Sequence, residues 1–438
     1  MSVVNCPTIF ITAPASGQGK TTLTAALARL MTRHGKIVRV FKTGPDYLDP
    51  QILQQASGHP VVQLDMWMAG ENYCQHALYQ AAKEADIILI EGVMGMFDGT
   101  PSSADLAARF NIPMAIVMDV KGMAQTAAAL AIGLASYRDD ISIAGLIANN
   151  CGTERHRELI ENALPAEIPL LFHLKRSDDI ALPERHLGLV QASEVGEELE
   201  QRFNAGADCL EASGALQIFS QLPKVAFYPT SKPEVLPLLA GIKIGVANDL
   251  AFSFIYEANL ALLTEMGASI VFFSPLADST LPQLDGLWLP GGYPELHAKA
   301  LSQNHSMLAD IRKFYEADKP ILAECGGFLY CLETLTDLSD TVFPMAGLLT
   351  GDGAMHGKRG CQGMQTACLP EGDVRAHAHH RSRSINTSEP IAYGKRQKHV
   401  APGESIYRQR SLTASYLHLF FPSNPHAIAC LFRPEVNL

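Results

Sequence analysis

Residues 9–27 read IFITAPASGQGKTTLTAAL. An apolar run, Ile9 to Ala13, passes into a loop of small residues and then into a helix that opens at Lys20-Thr21-Thr22. The first turn of a helix leaves backbone N–H groups unpaired, and together with the helix dipole these attract an anion. Gly17 and Gly19 let the backbone close around phosphate oxygens, Lys20 reaches the β- and γ-phosphates, and the Thr21 hydroxyl ligates Mg²⁺. The candidate ATP-binding residues are therefore Ser16, Gly17, Gln18, Gly19, Lys20, Thr21 and Thr22. The pattern G-x-x-x-x-G-K-[ST] has Pro14 in place of its first glycine. The plain alternative is a glycine-containing turn with a solvated lysine.

Outward from this loop, short aliphatic runs alternate with helical stretches. Strands are expected at Thr8–Ala13, Ile37–Thr43, Ile87–Glu91, Met114–Asp119 and Ile143–Ala148, and helices at Lys20–His34, Asn72–Ala85, Ser103–Phe110 and Ala124–Tyr137. Such alternation predicts an α/β domain, a parallel sheet covered by helices on both faces. Ligands then sit at the carboxyl ends of the strands. Glu91 ends the run IILI, and Asp46 follows VRVFKTG, so both acids fall on the rim that holds Lys20. With Thr21 they form the expected magnesium set. Asp98 and Asp49 are further acids nearby.

The 438 residues predict two or three domains. A net charge of -11 disfavours nucleic acid and anionic membranes as partners. No apolar run reaches the roughly 18 residues of a membrane helix. Met1 to Thr12 lacks a basic leader and reads as a first strand. Nine cysteines, none in a C-x-x-C pair, argue for a reducing cytoplasm over a zinc ribbon or a disulfide framework.

The expected organisation is a P-loop domain over 1–195, a linker over 196–240 with several prolines, and a second α/β domain over 241–438. Within the latter, PILAECGGFLYCLETL places Cys325 at a tight turn between a strand ending at Glu324 and a helix opening at Gly326-Gly327. That is a nucleophile elbow, where the helix N-terminus is expected to lower the thiol pKa. Gly291 and Gly292 of LWLPGGYPE offer N–H groups for an oxyanion, and His418 of SYLHLFF is the candidate base. A buried structural thiol is the alternative.

These three segments resemble the class I glutamine amidotransferase domain, which implies attack of Cys325 on the glutamine amide through a thioester. Many such domains carry a glutamate two places after the histidine; here that place is Phe420. Over the whole chain, ASGQGKTT, FKTGPDYLDP, LDMWM, ILIEGVMGMFDG, LPERHLGLV, LPGGYPE, AECGG and SYLHLFF resemble the cobyrinic acid a,c-diamide synthase family. That resemblance implies a dethiobiotin-synthetase-like P-loop sheet joined to the amidotransferase domain. It also implies ATP-driven phosphorylation of corrin carboxylates, then displacement by ammonia at c and next at a. It places Lys20 and Thr21 in the phosphate loop and Asp46 and Glu91 on the magnesium side. Tyr47, Leu48 and Asp98 fall on the corrin or its reacting carboxylate, and Asn149 faces the adenine.

The family's R-G-H-E-F-H segment is Arg375-Ala376-His377-Ala378-His379-His380 here, either a diverged substrate-facing strand or a metal site. The rivals are cobyric acid synthase, which YLDP and LDMWM disfavour, a nickel-sirohydrochlorin diamide synthase, and a P-loop switch with a non-catalytic second domain. The expected partners are a corrin, L-glutamine and ATP, and the reading allows a homodimer.

Overall fold

The computed structural model describes residues 2–185, 188–189, 191–231, 234–355 and 360–433. The chain divides into two compact units, 1–232 and 233–438.

In the first unit the elements run β1 (Val4–Thr12), α1 (Lys20–Arg33), β2 (Val38–Thr43), α2 (Leu48–Ser57), β3 (Val62–Leu64), α3 (Glu71–Ala82), β4 (Ile87–Glu91), α4 (Ser103–Arg109), β5 (Met114–Asp119), α5 (Gln125–Ser136), β6 (Ile143–Asn149), α6 (Glu154–Glu161) and β7 (Leu170–His173). The sheet order is β3-β2-β4-β1-β5-β6-β7, parallel throughout. Ile9, Phe10 and Ile11 are fully buried, as are the side chains of β4, because helices cover both faces. The five expected strands and four expected helices are all present.

The segment 196–240, read above as a linker, carries α7 (Gly196–Ala212) and α8 (Ala215–Ser220), preceded by the short pair β8 (Glu184–Arg185) and β9 (Gly188–Leu189). Leu199, Phe203, Ala207 and Leu210 form one apolar stripe on α7, and they join Leu23, Leu27 and Leu30 of α1 in one core. Burying Phe203 or Leu199 contributes about 1.5–3 kcal/mol each. A Cβ on Gly206 would stand 2.7 Å from the Ala26 methyl, so glycine is what lets the two helices meet. β10 (Lys224–Phe227) then pairs antiparallel with β1. The prolines that suggested a linker fall mostly after these elements. The LPERHLGLV segment lies partly outside the described residues.

The second unit contains β11 (Lys243–Ala247), α9 (Glu257–Glu265), β12 (Ser269–Phe273), β13 (Gly286–Leu289), α10 (Ala298–Gln303), α11 (His305–Glu316), β14 (Ile321–Glu324) and α12 (Gly326–Cys331). A small sheet of β15 (Thr334–Thr336), β16 (Val342–Pro344), β17 (Asp352–Met355) and β20 (Ser382–Ile385) flanks it. The remaining elements are β18 (Gln362–Leu369), β19 (Gly372–His379), β21 (Ala392–Arg396), β22 (Pro402–Gln409), β23 (Leu412–Ser415), β24 (Leu417–Leu419) and α13 (Pro425–Phe432). The main sheet runs β12-β11-β13-β14-β23-β22-β21-β18-β19-β24. Its first five strands are parallel, which puts the elbow after β14 and the turn after β23 at the same sheet end. Among the described residues no helix is long and apolar enough to cross a membrane.

Candidate active sites in the two units

In the first unit, the loop between β1 and α1 holds Gly17 at φ 76° and Gly19 at φ 90°, the left-handed region that glycine enters without strain. A Cβ on Gly19 would lie 2.3 Å from Asn149 Nδ2. No side chain caps α1, so its first N–H groups stay available to an anion. The loop after β4 locks onto this one: Met96 N–H donates to Ala13 O at 2.8 Å, and a Cβ on Gly95 would stand 2.7 Å from Pro14 O. The close approach that the sequence pattern assigns to its first glycine is met here by Gly95 against Pro14.

Lys20 is buried, and its ammonium donates to Ala15 O at 3.1 Å and Met94 O at 2.8 Å. Burial, reinforced by the Lys42 charge, lowers its pKa to about 8. Thr21 Oγ1 donates to Glu91 Oε1 at 2.7 Å and Asp49 Oδ2 at 3.3 Å. The acid beside Thr21, with Glu91, is thus Asp49. Asp46 instead accepts from the N–H groups of Leu48 (3.0 Å) and Asp49 (3.3 Å) at the start of α2. Burial and then the Asp49 charge push Asp46 up to about 7. Asp98 Oδ2 accepts from Gly95 N at 3.1 Å and holds the β4 loop. Tyr47 and Leu48 are buried. Asn149 Nδ2 donates to Gln18 O at 3.0 Å, while Gln18 Oε1 accepts from Asp119 N at 2.8 Å, so both side chains brace the phosphate loop.

Lys42 is the residue that sequence reading missed. It pairs across the sheet with Glu91, and its buried ammonium bonds Glu91 and Asp49 together. The available signal was a lysine near the carboxyl end of the strand VRVFKT, directly after the apolar Val40-Phe41. Removing one partner of a buried ion pair costs about 3–5 kcal/mol because the others stay charged and unpaired. Lys42→Met is therefore expected to lower the unfolding free energy of the first unit by about that much. A urea midpoint equal to that of the wild type would show that the network carries no such load.

A magnesium ion at a phosphate loop takes most of its ligands from phosphates and water, with one or two from protein. Glu91 Oε2 is buried without a hydrogen-bond partner, beside the Thr21 hydroxyl. This oxygen pair fits such a cation. Among the described residues no group of three or more His, Cys, Asp or Glu is arranged to hold a metal by itself. That statement includes His377, His379 and His380.

In the second unit, Cys325 has φ 47° and ψ -101°, the strained turn expected of an elbow. Its N–H donates to Ser415 O at 2.8 Å. The expectation of a lowered thiol pKa is overturned. Burial, and then the Glu295 charge, push the Cys325 thiol far up; the six-residue α12 opposes them with only the Gly326 N–H. A thiol raised in this way needs a base before it can attack. The His418 ring lies against Gly291, where a Cβ would stand 2.2 Å from Cε1. A Cβ on Gly326 would be 2.9 Å from Gly292 N. Both glycines of the pair therefore border the elbow and the histidine. Burial, then His377, His379 and His380, hold the His418 pKa well down, which keeps its ring neutral.

Phe420, at the usual glutamate place, is buried edge-on to Tyr256 at 5.7 Å. The backbone around His418 is instead pinned by hydrogen bonds. Leu417 N–H donates to Ser415 Oγ (3.1 Å), Leu419 N–H to Glu324 Oε1 (2.8 Å), and Phe420 N–H to Arg375 O (2.8 Å). Asn259 Nδ2 donates to Leu419 O at 2.8 Å. In the altered segment, β19 sets His377 directly across from His418, and His380 stacks on Tyr416 at 3.8 Å.

Glu324 also accepts from Trp288 Nε1 at 2.9 Å, and burial pushes its pKa up to about 8. A carboxyl with a raised folded pKa stabilises most below its unfolded value and loses that contribution as pH rises through the folded one. Stability should therefore fall between pH 5 and 8, and Glu324→Gln should make the fall shallower. Urea midpoints at the two pH values check this; parallel curves for the two proteins would contradict it.

A phosphate-loop unit and a cysteine-elbow unit in one chain define a nucleotide-binding amidotransferase. Residues 9–190 match the CobQ/CobB/MinD/ParA nucleotide binding domain, and residues 243–426 match the CobB/CobQ-like glutamine amidotransferase domain. A protein of Stutzerimonas stutzeri named hydrogenobyrinate a,c-diamide synthase is 51% identical, covering 99% of this chain and 100% of its own. A Pseudomonas aeruginosa protein of the same name is 48% identical, covering 99% of each chain. One from Herminiimonas arsenicoxydans, named cobyrinate a,c-diamide synthase, is 44% identical over 98% of this chain and 97% of its own. The chain belongs to this a,c-diamide synthase family.

Proposed function

We propose that the protein amidates the c and then the a side-chain carboxylate of hydrogenobyrinic or cobyrinic acid, using ATP and glutamine. The observation that carries this is the presence, in one chain of the family, of both the Lys20–Thr21–Glu91 cluster and the Cys325–His418–Gly291 group. The relatives at 51% and 48% identity bear the hydrogenobyrinate name, which favours the cobalt-free ring.

In the second unit, His418 takes the Cys325 proton as sulfur attacks the glutamine amide carbon. The Gly291 and Gly292 N–H groups meet the developing oxyanion. The proton passes to the leaving nitrogen, ammonia departs, and water hydrolyses the thioester to glutamate and free thiol. In the first unit, the carboxylate oxygen of the corrin takes the γ-phosphoryl group of ATP and releases ADP. Ammonia then displaces phosphate from the acyl phosphate and forms the amide. Lys20 stabilises charge on the transferring group, Asp46 and Asp98 are assigned to the reacting carboxylate, and Asn149 to the nucleotide side. Mg²⁺, held by Thr21 and Glu91 with Asp49 beside them, would neutralise phosphate charge. Tyr47 and Leu48 are assigned to the corrin side. No disulfide joins any of the nine cysteines among the described residues, which suits a cytoplasmic enzyme.

Mass spectrometry of both acids after incubation with enzyme, ATP, Mg²⁺ and glutamine tests this. Two successive exchanges of OH for NH₂ are expected. No conversion of either ring with glutamine or with ammonium would overturn the assignment in favour of the nickel-tetrapyrrole amidase or the non-catalytic switch.

A further inference from the structure

In the second unit, the loop between β11 and α9 is folded around one carboxylate. Asp249 Oδ1 accepts from the N–H groups of Ala251 (2.8 Å) and Phe252 (3.2 Å). Its Oδ2 accepts from the Ser274 hydroxyl (2.8 Å) and from Leu276 N–H (2.9 Å), in the segment that follows β12. The main chain closes the same turn, since Asp249 and Phe252 exchange N–H···O bonds at 3.0 and 3.1 Å. An aspartate at the start of a turn accepts readily from the backbone N–H groups that follow it, and its charge strengthens each bond.

The far side of this turn grips the glycine pair. Ser253 N–H and Phe254 N–H both donate to Gly291 O, each at 3.0 Å. Gly292 lies against the buried Ala251 and Phe252, where a Cβ would stand 2.1 Å from Ala251 O. Gly291 O and Gly292 N–H belong to the same peptide unit. That unit is planar and trans, so its oxygen and its hydrogen point in opposite directions. Donors that fix the carbonyl toward the loop therefore fix the N–H away from it. Gly326, next to Cys325, borders that N–H, since a Cβ on Gly326 would lie 2.9 Å from Gly292 N. Phe254 at the end of the turn also packs edge-on to Tyr293 at 5.1 Å and lies 6.1 Å from the His418 ring.

We propose that Asp249 is a positioning residue for the oxyanion donor: by fixing the turn, it aims Gly292 N–H at the oxygen that gains charge when Cys325 attacks. This rests on the glutaminase reading above and adds to it a group that acts through the backbone. A donor stabilises the oxyanion only when it is already aimed at the place where charge forms. A slackened turn therefore costs turnover and leaves substrate binding in place.

The test uses the full-length protein as Asp249→Ala and Asp249→Asn, and reads glutamate release from glutamine beside alkylation of Cys325 by iodoacetamide. Alkylation displaces iodide from a saturated carbon and builds no oxyanion. It reports the thiol and its surroundings, not the donor. In Asp249→Ala, kcat for glutamate release should fall about 10- to 100-fold, less than the loss of a whole oxyanion donor. KM and the alkylation rate should each stay within about twofold. Asp249→Asn keeps an oxygen for Ala251 and Phe252 but sets an amide against Leu276 N–H. Its kcat should fall about 3- to 10-fold with the other two readouts unchanged, and it carries the test by itself if the alanine variant does not fold. A wild-type kcat in either variant would overturn the assignment, and so would a raised KM with kcat kept. Equal slowing of alkylation would also overturn it, since Asp249 would then hold the elbow and not the donor. If the wild type releases no glutamate from glutamine, the glutaminase reading itself falls, and this assignment with it.

Discussion

Cys325→Ala is expected to lose glutamine-driven amidation by roughly 10⁴-fold or more, the scale on which removing a catalytic nucleophile acts. Its ammonium-driven amidation should remain within about twofold, because no group of the first unit is altered. The physical basis is the elbow. Cys325 is held at φ 47° between β14 and α12, and its backbone is fixed by Ser415. Alanine has no thiol to form the thioester, yet it occupies nearly the same space. Glutamate release and corrin amidation, followed in parallel with each nitrogen source, check the outcome. Loss of both activities would show that Cys325 serves the fold or the ligase step instead.

Lys20→Ala should show the complementary pattern. Amidation should fall about 10³-fold with either glutamine or ammonium, since preorganised charge on the transferring phosphoryl group supplies a barrier term of that size. Glutamate release by the second unit should persist. In the wild type the buried Lys20 ammonium is held by the carbonyls of Ala15 and Met94, which aims it along the phosphate loop. The acids below it keep Lys42 as a cation, so the variant should still fold. Normal amidation in this variant would remove the loop from the mechanism. The pair of variants thus divides the two halves of the chemistry between two units of one chain.

Much of this was legible before the structure. The P-loop signature follows from residue types whose requirement is local: glycines with positive φ, a lysine and threonine opening a helix, an apolar strand before them. The elbow is local in the same sense, and Gly326-Gly327 after Cys325 announces it. Residues 196–220 were misread because prolines further on outweighed the stripe of Leu199, Phe203, Ala207 and Leu210, whose partner α1 lies far away in sequence. Lys42 was missed because a lysine in a strand gives no sign of its partners. Asp49 and Glu91 reach it only when α2 and β4 come together at one sheet end.

By itself, then, the order of residues determined the two α/β units, the phosphate loop, the elbow and the family, since each depends on patterns within a few residues of one another. Only the tertiary structure decided that Asp49 rather than Asp46 meets Thr21, and that burial beside Glu295 raises the Cys325 thiol instead of lowering it. It also decided that Glu324 and the neighbouring strands hold the backbone around His418. Those outcomes depend on burial and on charges brought together from distant segments, and both are properties of packed three-dimensional neighbourhoods rather than of sequence spacing.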